Sequence, residues 1–508
     1  MIFLSTFCFR RFGLLVATLL LAGCMAGSNF EKPASPEGAS YSKQPLHDPE
    51  APAETSAGGT QHLVSGKEIH FDWWKSLGSP QLNRLINKSI EANPNIDAAK
   101  AALRQAQELT LAQKGFFYPS VSGGYTLTRQ QVAGNVANSS APGVQANGRV
   151  ILPLQSTTPP FNSSLTWTMQ TAQLSVGYTP DVFGLNRRTV ESLDAQAQMQ
   201  RFQLEAAYIT LASSVVAGAV GEASLRGQIS AAKKVIEENT KMVELLRQEV
   251  GNGYASRIDL AAQESQLAQV TATLPPLLKQ LAQQRNLLTA LAGRLPGQEP
   301  EETFEIALLH LPCSLPLSLP SKIIEQRPDV RAAEENMHSA NAQVGVAIAN
   351  RLPQFTINGS MSGTATVFSQ LLSTGAPGWS FAPSVAQPLF AGFTLLHRQR
   401  AAGEALKQAE AQYRSTVITA FQNVADTLHA LEQDGDALKA ALAAEHAAKV
   451  TLDLTTHQYQ VGYANYLALL SAEQTYQQAA INLVQAQANR LGDTGALFLA
   501  LGGGWWNR

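Results

Sequence analysis

The chain has 508 residues, a formal net charge of −2 and only 15% charged residues, so its length allows two or three ordinary domains. No basic field that could hold a polyanion is expected at this charge, and nucleic acid is therefore excluded as a predicted partner. Aromatic residues make up 7% of the sequence, whereas Ala and Gln are abundant. This balance favours long helices packed closely through small residues over one thick globular core.

The amino terminus has the features of a bacterial export signal. Arg10 and Arg11 precede the apolar run "FGLLVATLLLAG", which has the length of a signal-peptide core and is too short for a spanning helix. The run ends in "LAGC", which resembles a lipobox, where cleavage is followed by attachment of lipid to the cysteine. We therefore predict a signal peptide over residues 1–23 and lipidation of Cys24; the alternative is an ordinary signal peptide with an incidental cysteine. Met25 follows Cys24 in place of Asp, which by resemblance to bacterial sorting rules favours the outer membrane.

The segment after Cys24 is predicted to be a tether. Residues 25 to about 65 are rich in Pro, Ser, Gly and Ala without an apolar period, so residues 24–65 are interpreted as a lipidated, flexible segment. Cys8 leaves with the signal peptide, and Cys313 then has no partner for an internal disulfide. No later stretch reaches the roughly 18 apolar residues of a membrane helix, so strands would have to cross any bilayer.

Several phrases occur twice in the sequence. Pro94 and Pro119 bracket a stretch that is answered between Pro328 and Pro353, with the same spacing of 25 residues. "SVGYTPDVFG" is answered by "SVAQPLFAG", and "GYASRIDLAAQES" by "GYANYLALLSAEQ". We predict a tandem duplication of a unit of some 200 residues, with a longer insert in the first copy.

Each copy contains two stretches in which apolar and small polar residues alternate. In the first, Val121, Tyr125 and Leu127 alternate with Ser122, Thr126 and Thr128, and the segments near 165, 355 and 379 alternate in the same way. This pattern is typical of transmembrane barrel strands, with a sandwich edge as the alternative. The predicted strand pairs occupy residues 118–180, including an extracellular loop, and 353–391.

A long helical run follows each strand pair. Apolar residues recur every seven positions over residues 181–295 and 392–497, which predicts two helical hairpins with coiled-coil packing. Residues 189–250 as one helix would measure roughly 90 Å. Pro275 and Pro276 are predicted to kink a return helix. Glu222 and Glu445 interrupt the apolar positions; we interpret them as helix-surface charges, with register tuning or a lumen-facing position as the alternative.

Four strands in one chain are too few to close a barrel, and open edges cannot face lipid. Several copies of the chain must therefore combine their strands, and the helices that follow would form a shared tube.

The sequence resembles the outer-membrane factors, the family of TolC-like and OprM-like proteins, and within it the NodT type of efflux lipoprotein. The resemblance covers nearly the whole mature chain. The residues that carry it are "FDWWKSLGSPQLNRLI", "YTPDVFGLNRR", "QRPDVRAAE", "QPLFAGF" and "YQVGYANYLALLSAE".

The resemblance implies an α+β fold and a homotrimer. Its twelve strands would form an outer-membrane β-barrel, continued by a long periplasmic α-helical barrel with a mixed equatorial belt. Three parts of the chain would form the belt. They are residues 71–74 of the N-terminal helical segment 66–117, residues 296–320 of the segment 296–352, and the C-terminal tail 498–508. Gly184 and Gly392 would mark the passages from strand to helix, where glycine relieves crowding. The implied partners are a periplasmic adaptor, an inner-membrane transporter of the RND (resistance–nodulation–division) type, outer-membrane lipid and further copies of the chain.

Family members open and close where the helix turns converge. The adaptor is therefore expected to contact the following turn residues: Gly253, Tyr254, Ala255, Val461, Gly462, Tyr463 and Ala464. The family often has an acidic ring just inside the second turn, but the aligned positions here are Ala468 and Ser471. Asp259, the first-copy counterpart of Ala468, is a candidate for such a ring, with a solvated helix-face carboxylate as the alternative. Without a ring, Tyr254 and Tyr463 are predicted to close the aperture.

We find no sequence motif of an enzyme and predict no cofactor or metal. The nine histidines form no His-Glu-x-x-His pattern and the cysteines no paired spacing, and "GNGYAS" lacks the Lys-Ser/Thr of a phosphate loop. The predicted function is a passive exit duct of a tripartite efflux pump for small molecules. The alternatives are a duct for type I protein secretion and a non-conducting structural coiled-coil lipoprotein.

Overall fold

The computed structural model describes residues 25–34, 40–41, 47–52, 57–132, 145–146, 149–150, 165–373, 375 and 377–507. Cys24, the predicted signal peptide and most of the predicted loop within 130–164 lie outside these residues. The chain divides into two compact units. Unit 1 combines Met1–Asn29, Glu108–Leu193 and Ala340–Glu404, and unit 2 combines Phe30–Gln107, Asp194–Ser339 and Ala405–Arg508.

Helices make up most of the described chain. The α-helices are α1 Pro80–Ala92, α2 Pro94–Lys114, α3 Leu185–Gly251, α4 Arg257–Leu291, α5 Pro320–Gln326, α6 Pro328–Ala349, α7 Thr394–Gln460 and α8 Tyr466–Ala500. The strands are β1 His62–Ser65, β2 Ser120–Val132, β3 Gln145–Ala146, β4 Arg149–Val150, β5 Leu165–Tyr178, β6 Ser314–Leu317, β7 Gln354–Ala365 and β8 Pro377–Ala386.

The helix lengths confirm the internal duplication. Helices α3 and α7 each have 67 residues, and the return helices α4 and α8 each have 35. At about 1.5 Å per residue, each 67-residue helix is about 100 Å long, as the seven-residue spacing predicts. Pro275 and Pro276 lie inside α4 and do not end it.

Unit 1 contains one four-stranded antiparallel sheet in the order β2-β5-β7-β8. All four strands coincide with the alternating stretches of the sequence. The central pairing joins the two copies of the duplication, with Val176 of β5 opposite Gly359 of β7. The prediction of four strands, two from each copy, is therefore confirmed.

The alternating pattern gives this sheet one apolar and one small polar face. Thr356 and Ser384 hydroxyls lie 2.6 Å apart on the polar face, and those of Ser360 and Ser380 lie 2.8 Å apart. The register places the large apolar side chains together on the other face, since Val121 is opposite Val176 and Leu174 is opposite Met361. The exposed members of this apolar face are Val121, Tyr125, Leu127, Leu174, Val176, Met361, Trp379, Phe381 and Val385.

The sheet has two free edges. Within the described residues, β2 pairs only with β5, and β8 pairs only with β7. The outer edges of β2 and β8 therefore present unpaired backbone N–H and C=O groups next to an apolar face. In a lipid environment each such group would cost several kcal/mol.

Unit 2 has its core along the apolar positions spaced by seven in the long helices. Their buried members are Tyr208, Val215, Ile229, Val243, Val417, Val424, Leu431, Leu438, Leu469 and Leu497. The Trp73 ring stacks on Phe498 with 4.9 Å between centroids, and Asn507 donates from its side chain to the Ile69 carbonyl at 2.8 Å. Residues 71–74 and the C-terminal tail therefore pack on one another.

Helix α3 corrects one expectation about membrane spans. By length and composition, α3 is apolar enough to cross a membrane, and it is the only such helix in the described part of the chain. The sequence predicted no such helix after the signal peptide. However, 56% of its most apolar window is buried inside the protein. Its hydrophobicity is accounted for by packing against other helices.

The interpretation of Glu222 as a helix-surface charge is wrong. Its side chain is 0% exposed, and Oε1 accepts hydrogen bonds from Arg226 Nε at 2.7 Å and from Arg285 Nη1 at 3.2 Å. Two guanidinium groups compensate the buried carboxylate, which explains why an acid is tolerated at an apolar position. Glu445, its counterpart in the second copy, is half-buried.

The prediction of a flexible tether over 24–65 is also wrong for much of its described part. His62–Ser65 forms strand β1, which pairs in parallel with β6. Arg490 is 0% exposed and donates to the carbonyl oxygens of Pro49, Ala57 and Gly59 at 3.1, 3.1 and 2.7 Å. The described part of this segment is held by these backbone contacts and by scattered apolar side chains such as Ala57, which is buried in the core. These side chains follow no regular spacing, so the sequence pattern did not predict the order.

Asp434→Asn is expected to reduce the pH dependence of stability. Burial and a hydrogen bond with the Asp493 carboxyl raise the pKa of Asp434 from 3.8 to about 7. Because the folded-state pKa is raised, the fold favours the protonated acid, and this stabilisation is lost as the pH rises through about 7. Thermal unfolding of the wild type should therefore occur at a higher temperature near pH ~5.5 than near pH ~8, with a smaller difference in the variant.

Asp436→Asn is the matched control, because this side chain is exposed two residues away. An equal loss of pH dependence in both variants would show that the Asp434–Asp493 pair is not its source.

Candidate functional site at the helical turns

The turn between α3 and α4 is closed by a glycine in the left-handed region. Gly253 has φ +81°, and its N–H donates to the Val250 carbonyl at 3.1 Å, while Tyr254 N–H donates to the Glu249 carbonyl at 2.8 Å. These two bonds form a Schellman motif, which satisfies the last carbonyl groups of α3. Most side chains at position 253 would strain this backbone, and only Asn or Asp would tolerate it at a small cost, which explains the glycine.

The turn between α7 and α8 repeats this geometry. Gly462 also has φ +81°, with bonds from Gly462 N–H to the Tyr459 carbonyl at 3.1 Å and from Tyr463 N–H to the Gln458 carbonyl at 2.8 Å. Each return helix begins with a side-chain cap: Ser256 accepts from Ile258 N–H at 3.0 Å, and Asn465 accepts from Ala468 N–H at 2.9 Å. Capping at both ends holds the turns in a defined shape.

Both turns expose large side chains to solvent. Tyr254 is 86% exposed and Tyr463 is 88% exposed. One turn further along each return helix, Ile258 and Leu467 are also exposed, and Val461 precedes the second glycine as a further exposed apolar residue. The predicted adaptor-contact residues thus lie in two equivalent turns, each with a tyrosine and an aliphatic side chain available for contact.

The predicted strand-to-helix glycines also have left-handed backbones. Gly184, between β5 and α3, has φ +77°, and Gly392, between β8 and α7, has φ +56°. Phe393 follows Gly392 with φ +62°, an uncommon conformation for a bulky residue that costs of order 1–3 kcal/mol. Both junctions therefore depend on backbone conformations that glycine adopts without strain.

Asp259 is half-buried just inside the first turn. Burial raises the pKa of the hydroxyls of Tyr459 and Tyr466 on the second hairpin, and the Asp259 carboxylate adds a smaller contribution to both, behind Glu249 and Glu473 respectively. Ala468, its counterpart, is exposed. The aperture role of Asp259, Tyr254 and Tyr463 concerns an assembly of several chains and stays a prediction.

Two polar contacts connect the hairpins near the turns, and the sequence did not predict either. The Tyr459 hydroxyl lies 3.5 Å from Glu249 Oε2, and Gln474 Nε2 donates to Gln266 Oε1 at 2.8 Å. Tyr459 does occupy an apolar position of α7, and a hydroxyl at such a position is a signal that a polar partner is nearby. The partners themselves follow only from the tertiary packing.

Glu473 is an unusual acid at the same level of the hairpins. Burial raises its pKa from 4.5 to about 7, and the Glu238 carboxylate adds to this effect. Its Oε2 atom and the Tyr466 hydroxyl are buried without a hydrogen-bond partner among the described residues. Ionised Glu473 would therefore be a buried charge that faces another carboxylate, which opposes close packing of α8 against α3.

Within the described residues, no group of three or more His, Cys, Asp or Glu side chains is placed to hold a metal ion. Cys313 is a free and exposed thiol.

The sequence matches a known family model over most of its length. The family described as "Outer membrane efflux protein" matches residues 85–294 and 319–503, and these two ranges correspond to the two copies of the duplication.

Individual proteins are similar over almost the whole chain. The pyoverdine export outer membrane protein OpmQ of Pseudomonas putida is 26% identical over 433 residues, which covers 85% of this chain and 88% of that protein. The outer membrane protein OprJ of Pseudomonas aeruginosa is 25% identical over 504 residues, covering 97% and 95%.

A solved structure shares the fold. The outer-membrane channel OprN superposes with a TM-score of 0.79 at 22% identity, covering 95% of this chain and 100% of that chain. The family match, the duplicated helical hairpins and the apolar-faced sheet agree with one another. The chain belongs to the outer membrane efflux protein family, and its place is the outer membrane.

Proposed function

We propose that this protein is the passive exit duct of a tripartite efflux pump, formed by three copies of the chain. Small molecules would arrive from an inner-membrane transporter of the RND type through a periplasmic adaptor and leave through the shared barrel. The observation that carries this proposal is the four-stranded sheet with an apolar face and two free edges.

The duplication indicates how the edges join. Strands β2 and β5 follow the first copy of the repeated stretch, which ends at Pro119, and β7 and β8 follow the second, which ends at Pro353. Strand β7 therefore corresponds to β2, and β8 corresponds to β5. The pairing of β5 with β7 inside one chain is therefore a template for the pairing of β8 with β2 of the next copy. Twelve strands then close without an edge, and every backbone group finds a partner.

The two capped turns support an adaptor interface. Tyr254, Ile258, Tyr463 and Leu467 offer exposed aromatic and aliphatic surface on a rigid backbone, which is the chemistry of protein–protein contacts with a small hydrophobic centre. The near identity of the two turns suits an adaptor that packs against both in the same manner.

The lipobox supports attachment of lipid at Cys24, and with it an anchor in the outer membrane. The alternative of a non-conducting bridge does not account for the apolar face of the sheet, which would lie in water. A duct for type I secretion would share the architecture, and an ATP-driven transporter as partner would favour it.

Conductance tests the proposal. Purified protein in planar bilayers is expected to give discrete single-channel currents, because the shared barrel would be filled with water. Protein that inserts and gives no current would show a bridge instead of a duct.

The pH dependence of this current tests the role of Glu473. The raised pKa means that packed hairpins favour the protonated acid, so packing weakens as the pH rises through about 7. The open fraction is therefore expected to increase several-fold between about pH 6 and about pH 8. Glu473→Gln should remove this increase, whereas the exposed Glu244→Gln should keep it; equal behaviour of both variants would exclude Glu473 as the titrating group.

Gly462→Asp is expected to weaken the contact with the adaptor. Asp tolerates the left-handed backbone, and the position is open, with nothing within 4 Å of an added Cβ, so the fold should persist while a charge enters the apolar contact. We expect on the order of tenfold less adaptor recovered with the protein from native membranes. Gly462→Asn is the uncharged control of the same shape, and loss of trimer on native gels in either variant would mean that the turn has another role.

Cys24→Ser should abolish lipid attachment and leave insertion through the barrel intact. Metabolic labelling with palmitate and native gels measure the two properties separately. Labelled lipid on the serine variant would exclude Cys24 as the site.

A further inference from the structure

Residues 25–29 are held in a slot of unit 1 between the start of α3 and helix α6. The Ala26 N–H donates to the Phe183 carbonyl at 3.0 Å. From α6, Asn341 Nδ2 donates to the Ser28 carbonyl at 3.2 Å, and Ser28 Oγ donates back to Asn341 Oδ1 at 3.3 Å. The residues that directly follow Cys24 are therefore an ordered part of the unit that contains the sheet.

A buried arginine closes this slot. Arg188, in the first turn of α3, is 1% exposed. Its Nε donates to the Ala26 carbonyl at 2.9 Å, and Nη2 donates to the Gly27 carbonyl at 3.1 Å and to Asn29 Oδ1 at 3.0 Å. Its Nη1 forms an ion pair with Glu191 at 2.7 Å. Most acceptors of this buried cation thus belong to residues 25–29. Loss of these acceptors would leave the guanidinium group without most of its hydrogen bonds and would strongly lower the free energy of unfolding.

The glycines around the slot are required by the segment. A Cβ at Gly184 would lie 2.8 Å from Met25 Cγ, and a Cβ at Gly345 would lie 2.8 Å from the Ala26 carbonyl oxygen. Both distances are shorter than real Cβ contacts. Gly184 therefore has a second role besides its turn, since its missing side chain leaves room for Met25.

The corresponding junction of the second copy is different. Gly392 corresponds to Gly184, but an added Cβ would meet nothing within 4 Å. His397 takes the place of Arg188 at the fourth position of its helix. Within the described residues, the N-terminal segment thus occupies the first junction and not the second.

We propose that Arg188 is a positioning residue that holds residues 25–29 at the foot of β5, and that this contact restricts the acyl chains carried by Cys24 to one point of entry into the adjoining leaflet in each chain. This inference rests on lipidation of Cys24 under the proposed function. The partner is a lipid surface.

The surroundings of the slot fit a lipid partner. Helices follow the sheet at this end, so the adjoining leaflet is the periplasmic one. Unit 1 exposes large side chains just before β2 and just after β8, at the same end of the sheet as Phe183. They are Phe116, Phe117, Tyr118, Leu389, Phe390 and Phe393, and such residues are favoured at the boundary between hydrocarbon and headgroups.

A photo-crosslinker tests the proposal in the full-length, membrane-inserted protein. Benzoylphenylalanine at position 25, mapped by mass spectrometry, is expected to attach mainly to residues 181–188. Arg188→Gln should lose most of this product. Arg187→Gln is the matched control, because Arg187 pairs with Asp181 instead, and it should retain the product.

Further outcomes separate this inference from the proposed function. The same N-terminal peptide reports the mass of lipid on Cys24; unmodified Cys24 with an intact cross-link would overturn lipidation but keep the docking. A lipidated wild type whose cross-links spread over many regions, or join a neighbouring copy, would overturn the docking. Persistence of the product in folded Arg188→Gln would overturn the role of Arg188.

Should that variant not fold, Asn341→Ala is a second test, because it removes the Ser28 bonds without creating a buried charge. The cross-linked product is expected to fall several-fold in this variant; an unchanged yield would contradict the proposal.

Discussion

Unpaired backbone groups at the edge of a sheet cannot be placed in hydrocarbon, and the remaining architecture depends on this constraint. In the described part of one chain, β2, β5, β7 and β8 form a four-stranded sheet with one apolar face, and the outer edges of β2 and β8 pair with no other strand. Because the sequence is duplicated, the pairing of β5 with β7 inside the chain is the template for the proposed pairing of β8 with β2 of another copy. The sheet is thus complete only in an assembly.

The two copies of the duplication are alike in their helices and different in what they bind. Each has a 67-residue and a 35-residue helix joined by the same capped turn. The N-terminal segment breaks this likeness, because Arg188 from the first copy and Arg490 from the second hold different parts of it through carbonyl oxygens. These arginines are the largest fully buried side chains of the described chain. A buried cation needs acceptors, and here the described residues after Cys24 provide most of them.

Local patterns predicted the elements well. The alternation around Val121 and Phe355 gave strands, the spacing from Val417 to Leu438 gave a buried helix face, and the repeated Gly-Tyr-Ala gave both turns. Each of these signals reports a single element and its burial. The burial of Glu222 and the order of the described residues within 25–65 depend on partners that are distant in the sequence. Arg285 lies on another helix, and Arg188 and Arg490 bind main-chain oxygens. The contact of Tyr459 with Glu249 was missed for the same reason.

The most direct test of the account is a disulfide between copies. Val176 and Gly359 are opposite one another in the pairing of β5 with β7. In the other copy of the duplication, Val385 corresponds to Val176 in the repeated Ser-Val. Tyr125 corresponds to Gly359, because each lies six residues after the repeated proline, Pro119 or Pro353. Cysteines at 125 and 385 should therefore lie opposite each other across two chains, with Cα atoms about 4.5–5.5 Å apart, within reach of a disulfide. With Cys313 replaced by Ser, oxidation is expected to yield covalent dimers and trimers and no larger species, whereas each single cysteine should stay monomeric on denaturing gels. Uncross-linked chains, or a ladder extending beyond three, would contradict a barrel closed by three copies.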